Sequence, residues 1–269
     1  MTIIDTHAHI YPDAIAQKAA RSIGEFYEIP MDLDGTLGSL LSAGQAAGIS
    51  RFLVHSVAVT WERAHNINDF IHASVQAHPD LLIGFGSTHP DHPEMEKELD
   101  RIMALGLKGV KLHPDFQHFG LDDPSAIRLF EAMAERKIPL LVHTGDTRYP
   151  YSEPERMARV LDRVPALKAI CAHLGGWSVW DQAWKLLAGR GNVWVDCSSS
   201  LYAMDPEVAV KVIHRYGADR VFFGTDYPMW KPDEELERFR KLPLTEKEQE
   251  QILHLNFERF AQEHLGLIL

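Results

Sequence analysis

Near the start of the chain, Asp5-Thr6-His7-Ala8-His9 presents two imidazoles two residues apart. In an extended strand, residues i and i+2 project from one face, so His7 and His9 can reach a single cation with only the small Ala8 between them. An HxH pair alone is common by chance, but three other segments keep it company. Ile138-Pro139-Leu140-Leu141-Val142 ends in His143, Cys171-Ala172 leads into His173, and Val221-Phe222-Phe223-Gly224-Thr225 ends in Asp226. Neutral imidazole is the ligand a borderline divalent ion prefers, and three protein ligands with one open position make a catalytic site. The chain has 15 histidines but only two cysteines, Cys171 and Cys197, and no CxxC. A metal would therefore be held through nitrogen and carboxylate, and a disulfide framework is excluded.

These groups need a scaffold that brings them to one point. Short aliphatic runs recur at Thr2–His7, Phe52–Val59, Leu81–Gly86, Leu107–Leu112, Ile138–His143, Leu167–His173, Asn192–Cys197 and Arg220–Thr225. Their starts lie 50, 29, 26, 31, 29, 25 and 28 residues apart. Between them, segments such as Pro124–Arg136, Pro154–Arg163 and Pro206–Tyr216 read as helices with proline in the first turn. Thr245-Glu246-Lys247-Glu248 is a capping box opening a final helix. Alternating strands and helices in a chain of this length predict one (β/α)8 TIM barrel spanning residues 1–269, with a doubly wound open sheet as the rival. Barrel enzymes place chemistry at the C-terminal strand ends, where His7, His9, His143, His173 and Asp226 all fall. The long first unit contains Tyr11–Gly35, which is expected to cover the barrel mouth and help select substrate.

The HxH on strand one, His-Thr-Gly on strand five, Ala-His-Leu-Gly-Gly on strand six and Gly-Thr-Asp-Tyr-Pro on strand eight resemble the amidohydrolase superfamily. They are most similar to its amidohydrolase-2 branch of metal-dependent hydrolases and aminocarboxymuconate-semialdehyde-decarboxylase-like proteins. The resemblance spans the chain and includes Asn256 in the last helix. It implies a distorted barrel, a C-terminal helix and one or two divalent ions with an activated water.

Carried onto this sequence, the resemblance makes His7, His9, His143 and Asp226 metal ligands, with Asp226 also the general base. His173 is either an acid or base beside the metal or a ligand to a second ion. Lys111 shares a strand face with His113, whereas Lys108 lies on the opposite one. Lys111 is read as an amine pairing with a substrate carboxylate, or as a carbamate bridging two metals. His113, Arg148, Trp177 and Tyr227 are candidates for the substrate pocket, and a guanidinium such as Arg148 would suit a carboxylate. His89 can also reach substrate, whereas His55 is read as a core histidine. One ion is expected rather than two, most simply zinc, although manganese fits the same donors.

The leading reading is hydrolysis of a small amide, ester or lactone, with Asp226 as base and His173 assisting. The first alternative is non-oxidative decarboxylation of a small unsaturated or aromatic acid by the same residues. The second is a catalytically silent metal-binding scaffold. With 27 basic against 38 acidic side chains, a net charge of −11 argues against nucleic-acid and anionic-membrane partners. The expected partner is a small-molecule substrate, with homo-oligomerisation open. A beginning without a basic, apolar leader points to the cytoplasm.

Overall fold

The computed structural model describes residues 2–269. Among these residues eight strands occur: β1 (Ile4–His9), β2 (Arg51–His55), β3 (Leu82–Gly84), β4 (Val110–Leu112), β5 (Leu140–Val142), β6 (Ala169–Cys171), β7 (Val193–Asp196) and β8 (Val221–Phe222). All pairs are parallel. Continuous ladders join β1-β2-β3 and β4 through β8 in chain order. The two seams between these arcs are closed by single bridges, Gly86 to Val110 and Ala8 to Tyr227. The result is a distorted (β/α)8 barrel rather than an open sheet.

Most strands are shorter than the apolar runs suggest. His173, Leu174, Ser199 and Asp226 have φ of 61°, 50°, 45° and 59°. A left-handed non-glycine residue cannot continue a strand, so none of β6, β7 and β8 runs through these residues, and β7 and β8 end sooner still, at Asp196 and Phe222. The predicted helices are observed at Pro124–Glu135, Pro154–Arg163 and Pro206–Tyr216.

Two apolar layers hold the barrel. Ile4, Leu53, Ile83, Leu141, Ile170, Trp194 and Phe222 fill its interior near the strand starts, where Phe257, Phe260 and Leu265 of the C-terminal helix close it. That helix begins at the capping box of Thr245 and Glu248. Asn256 fastens it to β8, donating through Nδ2 to the carbonyls of Ala218 (2.7 Å) and Val221 (2.8 Å). Outside the barrel, Val54, Leu112, Val142 and Val195 pack with Leu129, Phe130, Leu161 and Ile213 of the helices. Cys171 and Cys197 are buried and unpaired. No helix among the described residues is long and apolar enough to cross a membrane. With one end plugged by aromatics, the polar groups are left at the other.

Candidate metal centre

β1 is buried along its whole length and departs from regular pairing in its middle. Asp5 pairs with Phe52 but Ala8 with Val54, so one extra residue is accommodated beside His7. The chain after β8 runs against this segment. Thr6 donates to the Phe223 carbonyl (2.9 Å), Asp226 to that of His7 (2.8 Å) and His9 to that of Tyr227 (2.7 Å). Gly224 permits this approach, because a Cβ there would lie 2.9 Å from that of His7. Asp5 locks the seam, accepting from Thr225 Oγ1 (2.6 Å) and from the Thr225 and His7 amides. These contacts place Asp226 Oδ1 3.4 Å from both His7 Nε2 and His9 Nε2. Roughly that spacing separates donors around a tetrahedral ion with bonds of about 2.1 Å.

Asp196, at the end of β7, orients two of the histidines. Its Oδ2 accepts from His7 Nδ1 at 3.0 Å, which turns the His7 Nε2 lone pair into the barrel mouth. A carboxylate behind a metal-binding histidine fixes its tautomer and raises its basicity. Asp196 Oδ1 accepts from the His173 amide (3.2 Å). His173 Nδ1 lies 3.0 Å from both the carbonyl and the Oγ of Ser198, leaving Nε2 as its free nitrogen. Ser199 Oγ donates to Asp226 Oδ2 (2.5 Å) and accepts from Trp230 Nε1 (2.9 Å). Left-handed backbone at His173, Ser199 and Asp226 is costly; His173 and Asp226 line one cavity, and Ser199 bonds Asp226 from behind.

That cavity is lined by His9, Lys111, His113, His143, His173, Asp226 and a few apolar side chains. Its volume of about 20 Å³ suits a water or an ion. Its roof is helix α1 (Asp13–Tyr27), so the long first unit does cover the barrel mouth. Ile23 and Tyr27 reach into the cavity, and Tyr27 Oη lies 2.8 Å from His113 Nε2. His113 stacks on Phe116 and on His143, with centroids 3.8 and 4.0 Å apart.

Burial pushes His7, His9, His55, His113 and His143 below the ordinary histidine range, so their rings are neutral and have lone pairs to give. Burial opposes the Asp226 carboxylate, but the imidazoles of His7, His9 and His173 hold it below the usual carboxylate range. Burial likewise pushes Lys111 down to about 8, against the pull of Asp226 and Asp196. Lys111 is wholly buried within β4, whereas Lys108, just before the strand, is only partly buried. Lys111 Nζ lies 3.0 Å from His7 Nε2.

The donor set fits a divalent cation. His7 Nε2, His9 Nε2 and Asp226 Oδ1 converge, two neutral imidazoles and a carboxylate of the kind a borderline divalent ion takes. His143 lines the same cavity, but its Nε2 faces the Gly145 carbonyl at 2.9 Å, leaving Nδ1 as its free donor. Behind it lie Asp115 and Asp146, and burial pushes Asp115 up to about 7.

Four residues expected near substrate are placed elsewhere. Arg148 forks onto Asp146 (2.9 and 2.7 Å) and donates to the Phe26 carbonyl (2.5 Å), clamping α1 to the loop after β5. The reason is local: Asp146 neutralises the guanidinium before a substrate could. Tyr227 is fully buried and donates to the Thr36 carbonyl (2.8 Å), outside the residues that line the cavity. Trp177 packs edge-on against Tyr27 at 5.1 Å, bracing the roof rather than walling the cavity. His89 is tied to the Gln117 carbonyl (3.0 Å). Sequence reasoning passed over Asp196, although a carboxylate ending the seventh apolar run was a visible signal. Tyr27 and Ser199 had no signal beyond their neighbours.

A sequence profile described as amidohydrolase matches residues 4–260. A curated relative, the 2-amino-3-carboxymuconate-6-semialdehyde decarboxylase of Dictyostelium discoideum, is 26% identical over 211 residues. The match covers 61% of this chain but only 56% of that protein, so the chain spans little more than half of this relative. Among solved structures, an uncharacterized TIM-barrel protein from Bordetella bronchiseptica superposes with a TM-score of 0.81 at 23% identity, covering 99% of this chain and 100% of that one. A dihydroxybenzoic acid decarboxylase from Polaromonas, solved with bound manganese and 2-nitroresorcinol, gives 0.73 at 16% identity and 99% coverage of both chains. The two structural likenesses establish the barrel.

Proposed function

The chain belongs to the amidohydrolase family, and on that premise we propose that it is a metal-dependent, non-oxidative decarboxylase of a small aromatic or unsaturated carboxylic acid. The decarboxylase names of the Dictyostelium and Polaromonas proteins favour this reading over the hydrolysis that the motifs alone put first. The observation that carries it is the setting of His173. Its ring lies 5.1 Å from that of His7 and 4.8 Å from that of His143, it lines the cavity, and Ser198 holds Nδ1 so that Nε2 is free to carry a proton.

His7, His9 and Asp226 would hold the cation, with His143 supplying a further nitrogen. Manganese, named for the Polaromonas structure, and zinc both suit these donors. When bound, the cation supplies a fixed positive charge for the substrate's carboxylate and adjacent oxygen. Lys111 offers a second positive group inside the barrel. The stacked His113 and Phe116 give a flat wall for a conjugated ring. His173 delivers a proton from Nε2 to the carbon bearing the carboxylate. A π pair of the substrate forms the new C–H bond; the bond to the carboxylate then breaks, its electron pair restores the π bond, and carbon dioxide leaves. Ile23 and Tyr27 exclude water, which favours protonation of carbon over hydrolysis. A cavity of about 20 Å³ does not admit such a substrate, so entry requires these two side chains to give way.

A panel of hydroxybenzoates and unsaturated acids, offered beside lactones, esters and amides to manganese-loaded and zinc-loaded protein, tests the reading. Carbon dioxide release from at least one acid supports it. Turnover confined to lactones, esters or amides restores hydrolysis, and metal binding without any turnover leaves a scaffold.

A further inference from the structure

His55 is the last residue of β2 and is fully buried. Neither of its ring nitrogens has a hydrogen-bond partner among the described residues. Leaving an imidazole in that state costs stability, because at least one N–H and one lone pair lose water and receive nothing in return. Core histidines ordinarily avoid this by bonding a carbonyl or hydroxyl, as His173 does with Ser198.

The surroundings of His55 are other imidazoles. Its ring sits edge-on to His9 at 4.4 Å and to His7 at 4.9 Å between centroids. One donor atom from each of His7, His9 and His55 can be chosen so that all three lie within 4.8 Å of one another. His9 Nδ1 is likewise buried and unpartnered. Unpartnered nitrogens in the two neighbouring rings of His9 and His55, beside His7, acquire a purpose if a cation lies between the three. His143 has a partner already in the Gly145 carbonyl.

We propose that His55 donates a ring nitrogen to the same divalent cation as His7 and His9, making the centre richer in histidine than the strand-one, strand-five and strand-eight motifs indicate. A histidine ending β2 reaches the ion for the reason His9 does, since the two residues are paired across the β1-β2 ladder. This inference rests on the metal centre proposed above.

The test compares wild type, His55→Leu and His55→Gln by zinc titration and by X-ray absorption of the zinc-loaded protein, which counts coordinated imidazoles. The expected result is a Kd at least tenfold weaker in both variants and one imidazole fewer, with the metal-free His55→Leu protein at least as resistant to urea as wild type. His55→Gln serves should the leucine variant not fold. An unchanged imidazole count overturns the proposal even if affinity falls, because His55 would then only be packing against His9. Failure of the wild type to bind zinc or manganese would overturn both the proposal and the metal centre, whereas loss of binding in His9→Ala with normal binding in His55→Leu would overturn the proposal alone.

Discussion

Lys111 Nζ and His7 Nε2 lie 3.0 Å apart, with Asp196 holding the opposite nitrogen of the same ring. The amine therefore competes for the lone pair that a cation needs. Metal and ammonium cannot both have it, so metal uptake displaces the hydrogen bond and is opposed by the Lys111 charge.

The pH dependence of metal affinity follows. Burial places the Lys111 pKa at about 8 and leaves the histidines neutral near neutrality, so the histidines add no slope above pH 7. Affinity should rise as pH increases towards about 8 and level off above it. In Lys111→Met the rise should vanish, with binding at pH 7 tighter by about tenfold, or about 1.4 kcal/mol. Calorimetric titration from pH 6.5 to 9 checks both points, and weaker binding in Lys111→Met would mean that the lysine serves the metal as a carbamate.

Asp5 supplies a stability prediction. Burial raises its pKa from 3.8 to about 7 despite the bonds from Thr225 and His7. The folded protein then binds a proton between those values that the unfolded chain has released. Stability from this group is present below pH 3.8 and is lost as pH rises to about 7. Asp5→Asn should remove that loss, flattening urea midpoints across the window by an amount worth about 2–4 kcal/mol.

How much of this was legible in the sequence depends on what each residue does. Strand-end position anticipated that His7, His9, His173 and Asp226 lie together, because the barrel converts spacing along the chain into convergence. It misplaced Arg148 and Tyr227, whose fates are decided by Asp146 and by the Thr36 carbonyl, partners that no periodicity reveals. His55 read as a core histidine because the second apolar run extends to Val59, whereas the strand ends at His55 itself. The apolar runs also overestimated where β2 and β8 end, and the left-handed backbone at His173, Ser199 and Asp226 has no mark in their residue type.

Gly224→Ala should separate metal binding from folding. The new Cβ would meet that of His7 at 2.9 Å and that of Ser198 at 3.3 Å. Moving His7 costs about 1–3 kcal/mol of packing energy, which a barrel of this size can absorb. Metal retained after gel filtration should fall severalfold while far-ultraviolet circular dichroism stays unchanged.

Tyr27→Phe removes the hydroxyl that joins α1 to His113. A loss of about 1 kcal/mol at this contact should speed amide hydrogen exchange in residues 13–27 roughly fivefold. Exchange in β4 to β8 should not change, since α1 closes the mouth without joining the ladder.

The two acid–base candidates should separate by metal content. Asp226→Asn removes a ligand and should abolish turnover with metal only partly retained. His173→Gln should keep the metal, because His7, His9 and Asp226 converge on it without His173, and should lose about 10²–10⁴ in kcat.

Deuterium incorporation during turnover reaches the central claim most directly. With a carboxyl-labelled acid in heavy water, the account predicts labelled carbon dioxide and one solvent deuteron on the carbon that carried the carboxylate, both lost in His173→Gln protein that still holds its metal. Product with the carboxylate intact and a solvent oxygen in a newly formed acid would contradict it.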